Sequence, residues 1–200
     1  MLGRGCRPAV RGGSSEEAVA VGLGDAGTSL SNVGWFVPGL FVTVIVALAV
    51  CGRVASALGT RRLVAWLLAF SAGMIVAATL SPIPMGPEQG PNGVGTCDFS
   101  RFGLAPIAEL GALNDTSLNV LLFIPLGVAI GLLPDGRSKV LLGASAVALP
   151  FVIETIQLIA TPLHRGCQSA DISDNLVGVF LGLVVGLWLH WFAGHVRQRA

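Results

Sequence analysis

The chain of 200 residues has no tyrosine and one lysine, Lys139, and only 12% of its residues are charged. A soluble domain of this size usually has about a quarter of its residues charged. The net charge is +1, so no basic surface argues for nucleic acid as a partner. There is no G-x-x-x-x-G-K-[ST], no G-x-S-x-G, no H-E-x-x-H and no C-x-x-C. ATP-driven transport and hydrolase chemistry of the familiar kinds therefore have no support. Residues 1–32 lack a continuous apolar run, so no secretory signal peptide is expected there. Rich in Gly, Ser and charge, they are expected to form a disordered tail.

What the chain has instead is apolar length. Hydrophobic residues make up 53% of it, and they come in blocks. Five segments, 33–52, 63–82, 118–133, 140–160 and 174–192, approach the roughly 17–25 residues that cross about 30 Å of hydrocarbon. The third is short and opens on polar residues. Open strands leave unpaired edges in lipid, so these segments are expected to be helices. The expected fold is all-α: a polytopic transmembrane helical bundle of five spans, a four-helix core plus one N-terminal helix. In domains, residues 33–62 hold the extra helix and a cytoplasmic loop. Residues 63–192 form the four-helix membrane domain, with an external loop at 82–117, and 193–200 form a cytoplasmic basic tail.

Lys and Arg set the orientation. Arg53, Arg61 and Arg62 follow the first segment, Arg137 and Lys139 lie between the third and fourth, and Arg197 and Arg199 follow the fifth. Only Arg101 and Arg165 lie close to a span on the other side. The C-terminus is expected to be cytoplasmic and the N-terminus extracytoplasmic, in a multi-pass protein of the cell membrane. Cys97 and Cys167 then share the outer side, where an oxidising exterior permits a bridge. Two unpaired thiols remain the competing expectation. The 82–117 loop, with its prolines and then its apolar residues, is expected to be a partly ordered cap, with a short interfacial helix.

The polar residues that do not belong in apolar runs gather at that same end. Glu154 and Gln157 close the fourth segment, Asp171, Asp174 and Asn175 open the fifth, Asn119 opens the third, and Thr79 and Ser81 end the second. A carboxylate in a membrane span survives where it faces a partner or a wet cavity. Below Asp171 and Asn175, Gly178, Gly182 and Gly186 form a ladder that lets another backbone approach closely, and Gly127 and Gly131 make a second small ridge. Pro150, one turn before Glu154, is expected to kink its helix.

Three readings of the cluster compete. Its members pair among themselves, Glu154 with Arg165 or Gln157, and fix helix register. Or Asn119, Glu154, Gln157, Arg165, Asp171, Asp174 and Asn175 bind the head group of an amphiphile, with Arg165 on a phosphate or carboxylate. Or Glu154 or Asp171 acts as a general acid or base in a membrane enzyme. A carboxylate count points only weakly to Ca²⁺ or Mg²⁺, so no metal and no cofactor is expected.

At these residues the chain resembles the VanZ-like family of bacterial membrane proteins. The matching pieces are T-L-S-P at 79–82, N-x-x-x-F-I-P-L-G from Asn119 to Gly127, I-E-x-x-Q from Ile153 to Gln157, and R-x-x-x-x-x-D-x-x-x-N-x-x-G from Arg165 to Gly178. They run in order over about 79–182. Pro150 departs from the pattern, which has a small polar residue there. The family's founding member is associated with low-level resistance to the glycopeptide teicoplanin. The resemblance thus implies an envelope protein whose partners are membrane lipids or a cell-wall precursor, and a link to glycopeptide susceptibility. The alternatives are an enzyme acting on a lipid-linked or glycopeptide substrate, and an assembly protein without a ligand.

Overall fold

The computed structural model describes residues 35–82, 95–106, 111 and 114–199. Five α-helices dominate: α1 (Phe36–Leu58), α2 (Arg62–Thr79), α3 (Asp115–Gly131), α4 (Arg137–Ile159) and α5 (Ser169–Arg199). A 3₁₀ turn, Thr161–Leu163, lies between α4 and α5. Two short strands, β1 (Cys97–Asp98) and β2 (Cys167–Gln168), pair in parallel. That pair is the one departure from an all-α reading among the described residues. Four helices, α1, α2, α4 and α5 as far as Val196, are long and apolar enough to cross a membrane. The fifth, α3, has 17 residues, about 26 Å at 1.5 Å per residue.

The helix ends have local causes. Gly59 takes the left-handed conformation (φ 60°) and ends α1, while the Thr60 N–H donates to the Ala55 carbonyl at 3.0 Å, the six-to-one bond of a glycine-terminated helix. Asn114 caps α3: its side chain accepts from the Ser117 N–H at 2.9 Å, and the Ser117 hydroxyl accepts from the Asn114 N–H at 3.1 Å. Reciprocal capping of this kind supplies two otherwise unpaired groups, and it starts α3 before the apolar run does. α4 continues through Pro150.

Several expected boundaries move. α1 runs through Arg53 to Leu58, so the α1–α2 connection shrinks to 59–61. α2 stops at Thr79, ahead of Pro82. α5 starts at Ser169, not Asp174, and continues to Arg199, so most of the expected 193–200 tail is helix. Hydropathy marks where lipid-compatible chain begins and ends; helical hydrogen bonding does not stop at that limit. The expected disorder of 1–32 lies outside the described residues, as do 83–94, 107–110 and 112–113 of the expected cap with its interfacial helix.

Glycine contacts fix the packing. α1 and α2 are antiparallel, with Gly39 against Ala77 and Gly73 against Thr43. α3 and α5 run in the same direction, backbone on backbone: a Cβ on Gly182 would sit 2.9 Å from the Gly127 Cα, and one on Gly186 2.9 Å from the Gly131 Cα. The two small-residue ridges read from the sequence thus meet each other, as close helix approach in membranes requires. The buried apolar core is drawn from α2 to α5, around Ile75, Phe123, Ile130, Ile153 and Val179. α1 supplies none of its buried residues; it packs on α2 and sets Val54 and Leu58 against the edge of the core.

Candidate functional site

The C-terminal ends of α2 and α4 and the N-terminal ends of α3 and α5 meet at one end of the molecule. Each joint is a named polar contact. The Arg165 guanidinium donates to two carbonyls at the end of α2, Nη2 to Ala78 in its last turn at 2.8 Å and Nε to Ser81 just beyond it at 3.0 Å. Gln157 Nε2 donates to the Thr79 carbonyl at 2.8 Å. The last carbonyls of a helix have no partner within it, and a cation there also complements the helix dipole. Arg165 and Gln157 therefore close the end of α2. Burial pushes the Arg165 guanidinium below its ordinary pKa, while Asp171, Glu154 and Asp115 oppose that shift. An arginine remains charged all the same.

Glu154, 3% exposed, serves the opposite helix end. Its Oε2 accepts from the Gln168 N–H at 2.7 Å, immediately before α5. A carboxylate is favoured at a helix N-terminus. The expected Glu154–Arg165 and Glu154–Gln157 pairs do not form, because each side chain reaches a backbone group instead. Asn119 Nδ2 donates to Asp171 Oδ1 at 2.8 Å, joining α3 to the first turn of α5. Asp174, 1% exposed, is bound by Arg101 through both guanidinium nitrogens, at 2.5 and 3.3 Å. Arg101 also reaches Thr116 Oγ1 at 3.4 Å. Asn175 is buried, and its Oδ1 has no hydrogen-bond partner.

A disulfide joins Cys97 to Cys167. It fastens the 95–106 segment to the α4–α5 connection within the β1–β2 pair, where the two cysteines are register partners. Ser169 Oγ donates to the Arg101 carbonyl at 2.7 Å, and the Gly103 N–H donates to Ser173 Oγ at 3.2 Å. These contacts hold the segment in place, and Arg101 projects from it onto α5.

These elements enclose an open pocket of about 320 Å³, lined by Asp98, Ser100, Arg101, Asp115, Thr116, Gln168, Ala170 and Asp171. Of the seven binding residues expected from the sequence, only Asp171 lines it. Three others each hold a residue of the wall: Asn119 holds Asp171, Asp174 holds Arg101, and Glu154 holds the backbone of Gln168. Gln157 and Arg165 brace α2 behind it. The residues missed were Asp98, Ser100 and Arg101 on the loop, together with Asp115, Thr116, Gln168 and Ala170. The signal for Arg101 was its place four residues after Cys97: once that thiol bridges to Cys167, Arg101 must fall near Asp171.

Chemically the wall offers carboxylates, one guanidinium already engaged by Asp174, and hydroxyl and amide groups. Such a wall suits hydroxyl, amide and ammonium groups better than a dianionic phosphate, which the carboxylates repel. Among the described residues no group of three or more His, Cys, Asp or Glu side chains is arranged to hold a metal ion. Comparison with known proteins adds no relative: no family model, no curated protein and no solved structure matches this chain.

Proposed function

We propose that the chain is a VanZ-like membrane protein with five spans and a four-helix core, its C-terminus cytoplasmic. The pocket at its extracytoplasmic end binds the polar head group of an amphiphilic envelope component in the outer leaflet. Through that ligand it affects susceptibility to glycopeptides of the teicoplanin type. One observation carries the reading. Asp171, in the first turn of a helix apolar enough to span a membrane, lines an open pocket and is aimed by Asn119 from another helix at 2.8 Å. A carboxylate oriented in this way toward open space suits recognition better than helix register, which the buried Asp174, Glu154 and Gln157 already serve.

A membrane enzyme using both Glu154 and Asp171 is less well supported. Glu154 does not line the pocket, and its Oε2 is engaged by the Gln168 N–H. Acid–base work requires reach to the reacting proton.

The test is mass spectrometry of amphiphiles retained after gentle extraction, comparing the wild type with Asp171→Asn. The variant keeps an acceptor for Asn119 and removes the charge. The reading expects the retained head-group class to be depleted while the protein stays folded; equal retention contradicts it.

A further inference from the structure

The segment that walls the pocket has a second face. Asp98, Ser100 and Arg101 line the cavity, whereas Phe99, Phe102 and Leu104 are 64%, 73% and 77% exposed. The rings of Phe99 and Phe102 stack with centroids 6.1 Å apart. Large apolar groups this exposed on a loop otherwise fixed by a disulfide and an ion pair need a partner that is not water.

The path of the loop names that partner. Gly95 lies against Leu158 and Thr161 at the end of α4. The chain then pairs with β2, and it leaves along α5: the Arg101 carbonyl meets Ser169, and the Gly103 N–H meets Ser173. Those two serines are four residues apart on a helix, about 6 Å along its axis. The loop thus descends one turn beside a helix that enters the membrane. Ile159, the last residue of α4, is itself 72% exposed. Apolar groups exposed at the level where such helices end meet the interfacial zone where aromatic side chains gather.

We propose that Phe99, Phe102 and Leu104 form a wedge inserted into the interfacial region of the lipid leaflet, so that the pocket opens at the boundary between lipid and water. A ligand with an acyl tail then reaches the pocket sideways from the leaflet, its head group meeting Arg101 and Asp171 across the same loop. This deepens the head-group reading above and rests on it for the ligand, although the insertion itself is measured independently.

The experiment places nitroxide labels at Phe102→Cys and Leu104→Cys, with Val184→Cys as the lipid reference and Ser138→Cys as the water reference. Cys6 and Cys51 are replaced by Ser and the Cys97–Cys167 bridge is kept. The protein sits in vesicles of phosphatidylethanolamine and phosphatidylglycerol, and collision with oxygen is compared with collision with a water-soluble nickel chelate. The wedge expects an oxygen-to-nickel preference at 102 and 104 several-fold above that at 138 and approaching that at 184. Nickel access like that at 138 overturns it, and so does protection from both reagents, which means that protein covers the loop. Lipid-like labels with no head-group ligand retained sink the binding reading alone. Water-like labels with the ligand retained sink the wedge alone.

Discussion

Arg101 grips Asp174 from 73 residues away in the chain, through two hydrogen bonds of 2.5 and 3.3 Å. The contact ties an otherwise irregular loop to the second turn of a membrane helix, and Asp174 has almost no access to water. Removing one member leaves a buried charge without its partner, which costs more than the pair contributes.

Arg101→Gln is therefore expected to destabilise the protein by about 1.5–3 kcal/mol, the scale of hydrogen bonds to a charged group. Arg101→Met combined with Asp174→Leu is expected to cost less than Arg101→Met alone. A double-mutant cycle read by unfolding in detergent checks this. Additive losses would mean that the two side chains do not interact.

The α3–α5 contact makes a sharper demand. At Gly182 a methyl group would meet the backbone of α3, with Gly127 Cα at 2.9 Å. Gly182→Ala is expected to cost about 1–3 kcal/mol through forced separation of the helices. Gly194→Ala, where nothing lies within 4 Å, is the matched control and is expected to be neutral or to stabilise by up to about 1 kcal/mol. Equal effects at the two glycines would refute close packing here.

Cys167→Ser removes a cross-link that spans 70 residues. A loss of about 2–4 kcal/mol is typical for such links. Alkylation of the untreated wild type is expected to spare Cys97 and Cys167 and to reach both after reduction. Full labelling of both without reductant would show that the bridge is not present.

At Glu154 the shape of the acceptor matters more than its charge. Glu154→Gln retains an oxygen for the Gln168 N–H, whereas Glu154→Leu leaves that buried donor empty at a cost of about 1–3 kcal/mol. Accumulation and thermal stability should fall clearly in the leucine variant and little in the glutamine one. Loss of activity in a stable Glu154→Gln protein would instead revive a chemical role for this carboxylate.

Much of this architecture could be read in the residues, and the remainder had a physical reason to stay hidden. Helix existence followed from apolar length, because within lipid the backbone has few other ways to pair. The gathering of Asn119, Glu154, Gln157, Asp171 and Asp174 at one end followed from helix direction alone. Each glycine ridge could be read from its spacing on one face, but that the two meet each other is a finding of the structure. Which partner each polar residue takes did not follow. Glu154 and Arg165 looked like a pair, but each was nearer a backbone group at a helix end, a choice set by tertiary distance and not by charge. The starts of α3 and α5 were missed for a related reason: Asn114 and Ser169 sit in polar chain, where hydropathy carries no signal. Arg101 was visible only as a cation near a span; its role depends on the disulfide that brings its loop to α5.

The head-group pocket is tested most directly by a photoreactive side chain placed on its wall at Thr116, with a matching probe at Ser56 near the opposite end of α1. Irradiated in native membranes, the Thr116 probe is predicted to capture an envelope amphiphile, and Asp171→Asn in the same chain is predicted to abolish the adduct. Capture at both positions alike, or an adduct at Thr116 undiminished by Asp171→Asn, would contradict the account.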